Sequence, residues 1–235
     1  MTPDDPMHYA PRTIALLAEL VHQPLAPDPT AIQKIHNDLF QAGNPAYQNF
    51  QSAPQGSVLS NPATRPNAAS TAEFLADRMR FREELTAVTQ EDFATRVTEL
   101  SIRAAEARGI PQFTGMAVVV RTLINPRNYE DSRELLRESM LGMSAETAVF
   151  GRDPALFGLR LVFPPSQAEP NAYTLRIESF AGDVRSIFLE NQGSFGPIPV
   201  ANGADTLRAN VDGTYQFLVT KALEFLAQFD VRLEA

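Results

Sequence analysis

Cysteine and tryptophan are absent from this chain of 235 residues, and only three histidines occur in it. Without cysteine, the chain can form no disulfide, thiolate zinc site or iron–sulfur cluster, and it has no cysteine nucleophile. No two histidines have the spacing of metal ligands. The sequence therefore predicts neither a metal site nor a cofactor.

Long apolar runs are missing as well. No stretch approaches the roughly 18–20 consecutive apolar residues that a membrane-spanning helix needs. The first residues, MTPDDPMHYAPR, lack the basic start and the apolar core of a signal peptide. We therefore expect a protein that does not enter the membrane and that resides in the cytoplasm, with which the lack of cysteine is compatible.

The charge is acidic, because 28 aspartates and glutamates outweigh 20 lysines and arginines, giving a net charge of −8. Such a chain repels nucleic-acid phosphates and anionic membranes unless positive charge is concentrated locally. Lys34 and Lys221 are the only lysines, so the other basic residues are arginines. A GC-rich genome explains this bias, and so does selection for bidentate anion binding. The composition disfavours a nucleic-acid partner and leaves a small anionic ligand open.

The first part of the chain contains a strand and a helix before it becomes irregular. Three prolines predict a flexible arm over residues 1–11. Apolar residues at every second position predict a strand over 13–23, and Asp28 is placed to cap a helix that ends at Gly43. Residues 44–72 are rich in proline and small polar side chains, which predicts loops. Short strands are predicted there at 47–52 and 57–60.

Residues 73–85 allow two interpretations. In the favoured one, Ala76-Asp77 makes a tight turn between two strands, and Arg78, Arg80 and Arg82 share one face. Such a row of guanidinium groups, about 7 Å apart, could bind phosphate, carboxylate or an acidic partner. The favoured alternative is a solvated face whose arginines pair with Glu73, Glu84 and neighbouring strands. A helix over the same residues would disperse the arginines.

The later elements are more regular. Thr89 and Asp92 approximate a capping box, which predicts the start of an amphipathic helix. The apolar and β-branched run at 113–125 is typical of a central strand. Ala181-Gly182 is interpreted as the turn of a hairpin, and Asp205 as the cap of the last helix. The predicted elements are helices at 89–108, 129–143 and 205–229, and strands at 113–125, 156–163, 172–180 and 183–190.

This order of elements predicts an α+β fold, with a mainly antiparallel sheet, helices packed on one face and a long C-terminal helix. Each half of the chain has a strand, then a helix, then mainly antiparallel strands. We therefore expect one domain over residues 12–235, with pseudo-halves 12–88 and 89–235.

Several pieces of the chain also suggest a family. They are the hairpin Phe74-Leu75-Ala76-Asp77-Arg78, the helix from Glu91, and the strand Val119-Val120-Arg121 leading to Asn125. In these pieces, and by element order over most of its length, the chain resembles a sporadically distributed bacterial family of unknown function. That family has no established activity, so the resemblance implies no catalytic residue.

Motifs for catalysis are missing from the sequence. Gly193-Ser194-Phe195-Gly196 is one residue short of the G-x-S-x-G nucleophile elbow. Neither a Walker-type nor a dinucleotide-binding loop is present. Glu83 and Glu84 are adjacent on a predicted strand and so point to opposite faces. We assign no catalytic residue and regard an enzymatic role as the less favoured one.

Two hypotheses about function follow. The first is a non-catalytic protein that acts through protein–protein contacts and self-associates, kept in solution by its acidic charge. The second is a small anionic-ligand-binding protein or a cofactor-free enzyme. Its pocket would lie between the sheet and the helices and be lined by Arg78, Arg80, Arg82 or Arg121. Arg121 lies inside an apolar strand, where a charge needs a partner, either structural or a ligand. A pocket with an unpaired arginine would favour the second hypothesis, whereas paired arginines and an exposed apolar patch would favour the first.

Overall fold

The computed structural model describes residues 9–43, 45–143 and 145–231. In these residues ten strands form one antiparallel sheet. The strands are β1 (Arg12–His22), β2 (Asn49–Ala53), β3 (Gly56–Ser60), β4 (Ala69–Leu75), β5 (Arg78–Glu84), β6 (Gln112–Ile124), β7 (Gly158–Phe163), β8 (Ala172–Ser179), β9 (Ile187–Phe195) and β10 (Ile198–Pro199).

The predicted helices occur in the predicted order among the strands. They are α1 (Pro29–Gln41), α2 (Gln90–Ala107), α3 (Ser132–Glu134), α4 (Ala204–Gln216) and α5 (Leu223–Ala227). A π-helical segment, Leu135–Met140, continues α3, and another, Phe217–Ala222, joins α4 to α5. A 3₁₀ helix covers Glu146–Phe150.

The sheet is built from two similar halves. Its strand order is β2-β3-β4-β5-β1-β6-β9-β8-β7, with β10 paired to the end of β6. In each half the first strand pairs with the last long strand, β1 with β5 and β6 with β9. The two first strands pair with each other at the centre, so both halves share one sheet.

The predicted α+β class is confirmed. Alternate residues of the strands are buried against the helices, as Leu16, Val118 and Leu189 illustrate. Helix α2 contacts β1 and β5, and α4 contacts β6 and β9. The opposite face of the sheet is not covered by any described helix. Within the described residues, no helix is long and apolar enough to cross a membrane.

Helix caps agree with the sequence at two positions and differ at a third. The Asp28 carboxylate accepts hydrogen bonds from the backbone of Thr30 and Ala31, and the Thr89 hydroxyl accepts one from Asp92 N. The last helix begins one residue earlier than predicted. Gly203 is its N-cap, no side chain caps it, and Asp205 lies in its first turn.

The hairpin predicted between the last two long strands is confirmed, because β8 pairs with β9 antiparallel, but its turn is longer than the predicted Ala181-Gly182. Strand β8 ends at Ser179 and β9 begins at Ile187, because Asp183 organises the connection: its carboxylate accepts hydrogen bonds from Arg185 N and Ser186 Oγ. Strand β9 instead runs on to Phe195, through residues that were predicted to be a loop.

Two further predictions need adjustment. The helix expected at 129–143 covers only 132–140 and is mostly π-helical. Of the predicted arm, residues 1–8 lie outside the described residues. Tyr9 is buried, and its hydroxyl donates to Asp230 Oδ2 at 3.0 Å, which fixes the end of that segment next to the C-terminal helix.

Candidate interaction surface

The hairpin interpretation of residues 73–85 is confirmed. Strand β4 pairs with β5 around Ala76-Asp77, with Phe74 opposite Met79. Because side chains alternate along a strand, Met79 and Phe81 enter the core, and the arginines of β5 point away from the helices. The row therefore exists on one face, which we call the open face of the sheet.

Each arginine of this row has a carboxylate partner. Arg80 Nε donates to Glu19 Oε2 at 2.6 Å, and Arg78 Nη1 donates to Glu19 Oε1 at 3.2 Å. Arg82 Nε donates to Glu84 Oε2 at 2.7 Å. Arg78 also binds Asp77, and this hydrogen bond, together with the charge of Glu19, raises the pKa of Arg78.

Arg121 lies on the same open face, at the centre of the sheet. Its Nε donates to Glu190 Oε2 on the neighbouring strand at 2.7 Å, and its Nη1 reaches Glu84 Oε1 at 3.4 Å. The charge inside this apolar strand is thus balanced by two carboxylates.

These positions bear directly on the second hypothesis. That hypothesis placed the arginines in a pocket between the sheet and the helices. The structure places Arg78, Arg80, Arg82 and Arg121 on the open face, with the sheet between them and the helices. All four have carboxylate partners within 4 Å.

A buried polar cluster lies on the helix side of the same hairpin. The Glu83 side chain is 1% exposed, and its Oε1 accepts hydrogen bonds from Ser70 Oγ at 2.8 Å and from Arg96 Nη1 at 2.8 Å. The Tyr47 hydroxyl also reaches this oxygen, at 3.4 Å. The Arg96 guanidinium stands 5.4 Å from the centroid of the Tyr47 ring, at cation–π distance.

Burial dominates the protonation of this cluster. It raises the pKa of Glu83, although the hydrogen bond from Ser70 and the charge of Arg96 oppose the rise. Burial also raises the pKa of Tyr47, and the adjacent Glu83 carboxylate adds to the effect. Glu83 Oε2 makes no hydrogen bond to any described residue.

An open cleft of about 540 Å³ borders this cluster. Glu83 and Arg96 line it together with small and apolar side chains from three segments of the chain. These are Pro45, Ala46, Pro62, Ala63, Ala68, Ala69, Ala87 and Val88. Arg96 is thus the arginine that lines a space between sheet and helix, a position that the sequence analysis did not identify. The sequence signal that could have indicated it was Glu83, a carboxylate at a core-facing position of β5, which needs a buried partner.

Exposed apolar side chains are concentrated in the second half of the chain. Of the nine large apolar residues that are exposed in the described parts, five fall within residues 149–163. Val162 on β7 is 63% exposed, and Phe163 is 39% exposed. Single exposed apolar residues are ordinary on protein surfaces, whereas apolar residues that are contiguous in space mark a contact surface.

An apolar groove adjoins this segment. It has a volume of about 690 Å³ and lies between β7, β8 and the π-helical segment that follows α4. Its floor is aromatic: the Phe217 ring stacks on Tyr173 with 4.6 Å between ring centroids and meets Phe163 at 5.4 Å. We refer to this groove, with Leu161 and Phe163 of β7 that line it, as the apolar surface.

No protein-family model matches this chain, and no curated protein is significantly similar to it. Membership of the bacterial family that the sequence resembles therefore stays a prediction. Among the described residues, no three acidic or histidine side chains are placed to hold a metal ion together.

Proposed function

We propose that this protein is a non-catalytic cytoplasmic protein that acts through protein–protein contacts, and that it self-associates. The observation that carries the proposal is the apolar surface, where the partly exposed Phe163 and Leu161 line an open groove with an aromatic floor. Removing such side chains from water contributes about 25 cal/mol per Å² of apolar area, which makes the apolar surface the part of the molecule that gains most from contact.

The ion pairs on the open face also support this proposal, because they disfavour the alternative of an anionic ligand. Its arginines are already paired with glutamates of neighbouring strands, so an anion would have to compete with those carboxylates. Exposed ion pairs of this kind contribute little, about 0–1 kcal/mol each, but they occupy the guanidinium groups of Arg78, Arg80, Arg82 and Arg121.

Native mass spectrometry and light scattering test this proposal. We expect a mass of twice the 25.9-kDa chain mass, rising in population with protein concentration. Because apolar contacts are not screened by salt, the dimer should persist in high salt, whereas association through the charged open face should weaken there. A mass that stays at 25.9 kDa at the highest soluble concentration contradicts self-association.

A second candidate function is supported by the cleft beside Glu83. There, Arg96 lines a space between β5 and the start of α2, where an anion would compete for it with the Glu83 carboxylate that it already binds and with Asp92, which also lines the cleft. Inorganic phosphate, compared with chloride at equal ionic strength, should raise the melting temperature of the wild type more than that of Arg96→Gln. Equal shifts in the two proteins would refute this second function.

A further inference from the structure

The two edges of the sheet differ in character. At one edge, β2 exposes the polar side chains of Asn49, Gln51 and Ser52. At the other edge, β7 carries Leu159, Leu161 and Phe163 on its helix side and the exposed Arg160 and Val162 on its open side. Natural sheets protect their edges with short strands, charges or coverage, because unpaired backbone groups recruit another strand. The β2 edge is polar, whereas the β7 edge is apolar on its helix side and carries one charge, Arg160, on its open side.

The second half of the sheet is also one strand shorter than the first. Counting outward from the centre, β5, β4, β3 and β2 follow β1, whereas only β9, β8 and β7 follow β6. Strand β7 therefore occupies the position of β3, but it lacks the outer neighbour that β2 supplies to β3. Within the described residues, the outer backbone groups of β7 have no strand to pair with.

We propose that β7 pairs with β7 of a second copy of this chain, antiparallel, around a twofold axis that passes through Leu161. The two sheets then form one continuous sheet with the helices of both copies on the same side. This inference rests on the proposed self-association and names the surface and the partner.

The sequence of β7 is self-complementary in this register. Leu161 lies opposite Leu161 of the second copy, Leu159 lies opposite Phe163 of that copy, and Arg160 lies opposite its Val162. Each contact on the helix side is then apolar on apolar, and the apolar grooves of the two copies meet. On the open side, arginine lies opposite valine, so no like charges are directly opposed.

Two neighbouring registers of this β7–β7 pairing are less stable. An axis through Arg160 sets two arginines directly opposite each other, and like charges in that position destabilise a sheet. An axis through Val162 brings Pro164 into the pairing, and proline has no backbone N–H to donate. An axis through Leu161 uses residues 159–163 and ends before Pro164.

Because the chain has no cysteine, a single introduced cysteine tests the axis directly. Antiparallel partners have Cα atoms about 4.5–5.5 Å apart, within the roughly 4.4–6.8 Å that a disulfide spans. We expect Leu161→Cys to form a disulfide-linked dimer under mild oxidation. The matched control is Val162→Cys. Its two cysteines, one in each copy, are offset by two residues along the strands and lie about 8 Å apart, so they should not cross-link.

Charge at position 162 provides a second test that does not depend on oxidation. Val162→Lys sets lysine opposite Arg160 of the second copy and should reduce the dimer fraction measured by light scattering. Val162→Glu sets an opposite charge there and should keep or increase it. Gln51→Lys, on the β2 edge, should leave the dimer unchanged. Val162 is exposed, so these variants should fold like the wild type.

The outcomes separate this inference from the proposed function. A wild-type monomer overturns both. A wild-type dimer in which Leu161→Cys does not cross-link, or in which Val162→Cys cross-links as well, retains self-association and overturns the β7 interface. Equal loss of dimer in Val162→Lys and Val162→Glu overturns the register. A monomer that acquires a strand only from another protein overturns the choice of a second copy.

Discussion

Replacing Arg96 with alanine is expected to destabilise the folded protein strongly. The variant leaves the Glu83 carboxylate buried without a cationic partner, while neutral donors such as the hydroxyls of Ser70 and Tyr47 remain. Breaking a buried ion pair by removing one partner costs about 3–5 kcal/mol, because the remaining charge is uncompensated. For a chain of this size, this corresponds to a fall in melting temperature of roughly 6–20 °C.

The loss should depend on pH in a defined direction. Burial raises the pKa of Glu83 in the folded protein, so the folded state binds a proton at pH values where the unfolded chain has released it. The stability contribution of such a group is lost as the pH rises through the folded-state pKa and is regained as the pH falls toward the unfolded value of about 4.3. Without Arg96 the pKa of Glu83 rises further, so the destabilisation should be largest near about pH 8 and smaller near about pH 5.

Urea unfolding of matched variants at the two pH values measures this effect. The control is Arg82→Ala, which removes an exposed arginine from the same hairpin and should cost at most about 1 kcal/mol. The double variant with Glu83→Gln should recover part of the loss, because no buried charge remains. If Arg96→Ala costs no more than Arg82→Ala, or if its cost does not shrink on acidification, the reasoning about Glu83 is refuted.

Three further variants test the packing, each by chemical unfolding. Gly193→Ala on β9 should cost about 1–3 kcal/mol, because an added Cβ would lie 2.4 Å from Thr214 Oγ1 in the covering helix; a neutral result would contradict this close packing. Gly213→Ala in α4 should instead stabilise the protein by about 0.4–1 kcal/mol, since its Cβ would meet only the Tyr173 hydroxyl at 3.6 Å; a loss of stability would show that the site is too tight. Asp230→Ala should cost about 1–3 kcal/mol, because its carboxylate accepts hydrogen bonds from the backbone N–H groups of residues 127 and 128 and from a tyrosine hydroxyl; an unchanged midpoint would refute that role.

Strand β9 shows where reasoning from the sequence failed. Glycine, asparagine and proline in residues 191–203 are typical of a loop. The structure uses Gly193 inside the strand, because α4 packs over it too closely for a side chain, and it uses Asn191 to donate to Thr214 O at 2.9 Å. Both residues are adapted to their contacts with α4, a separate element later in the chain. The local composition of residues 191–203 does not predict these contacts.

The arginine row shows the opposite case. The alternation Arg78, Met79, Arg80, Phe81, Arg82 was enough to predict the hairpin and the shared face of its arginines, because the period of a strand is a local property. Their partners within the hairpin, such as Glu84 beside Arg82, are also local, but the partners on other strands were not predictable. Glu19 and Glu190 lie on strands whose neighbours and register are decided only when the sheet forms.

The sequence by itself determined the element order, the α+β class, two of the helix caps and the face on which each residue of β5 lies. These features depend on periodicity, capping and turn chemistry within about ten residues. The tertiary structure decided that Glu83 is buried beside Arg96, that the open-face arginines are paired, and that β7 is left as an apolar edge. Each of these depends on which distant segments become neighbours. That choice is made by the burial of apolar surface over the whole chain, because the hydrophobic effect is non-directional and leaves little local trace in the sequence.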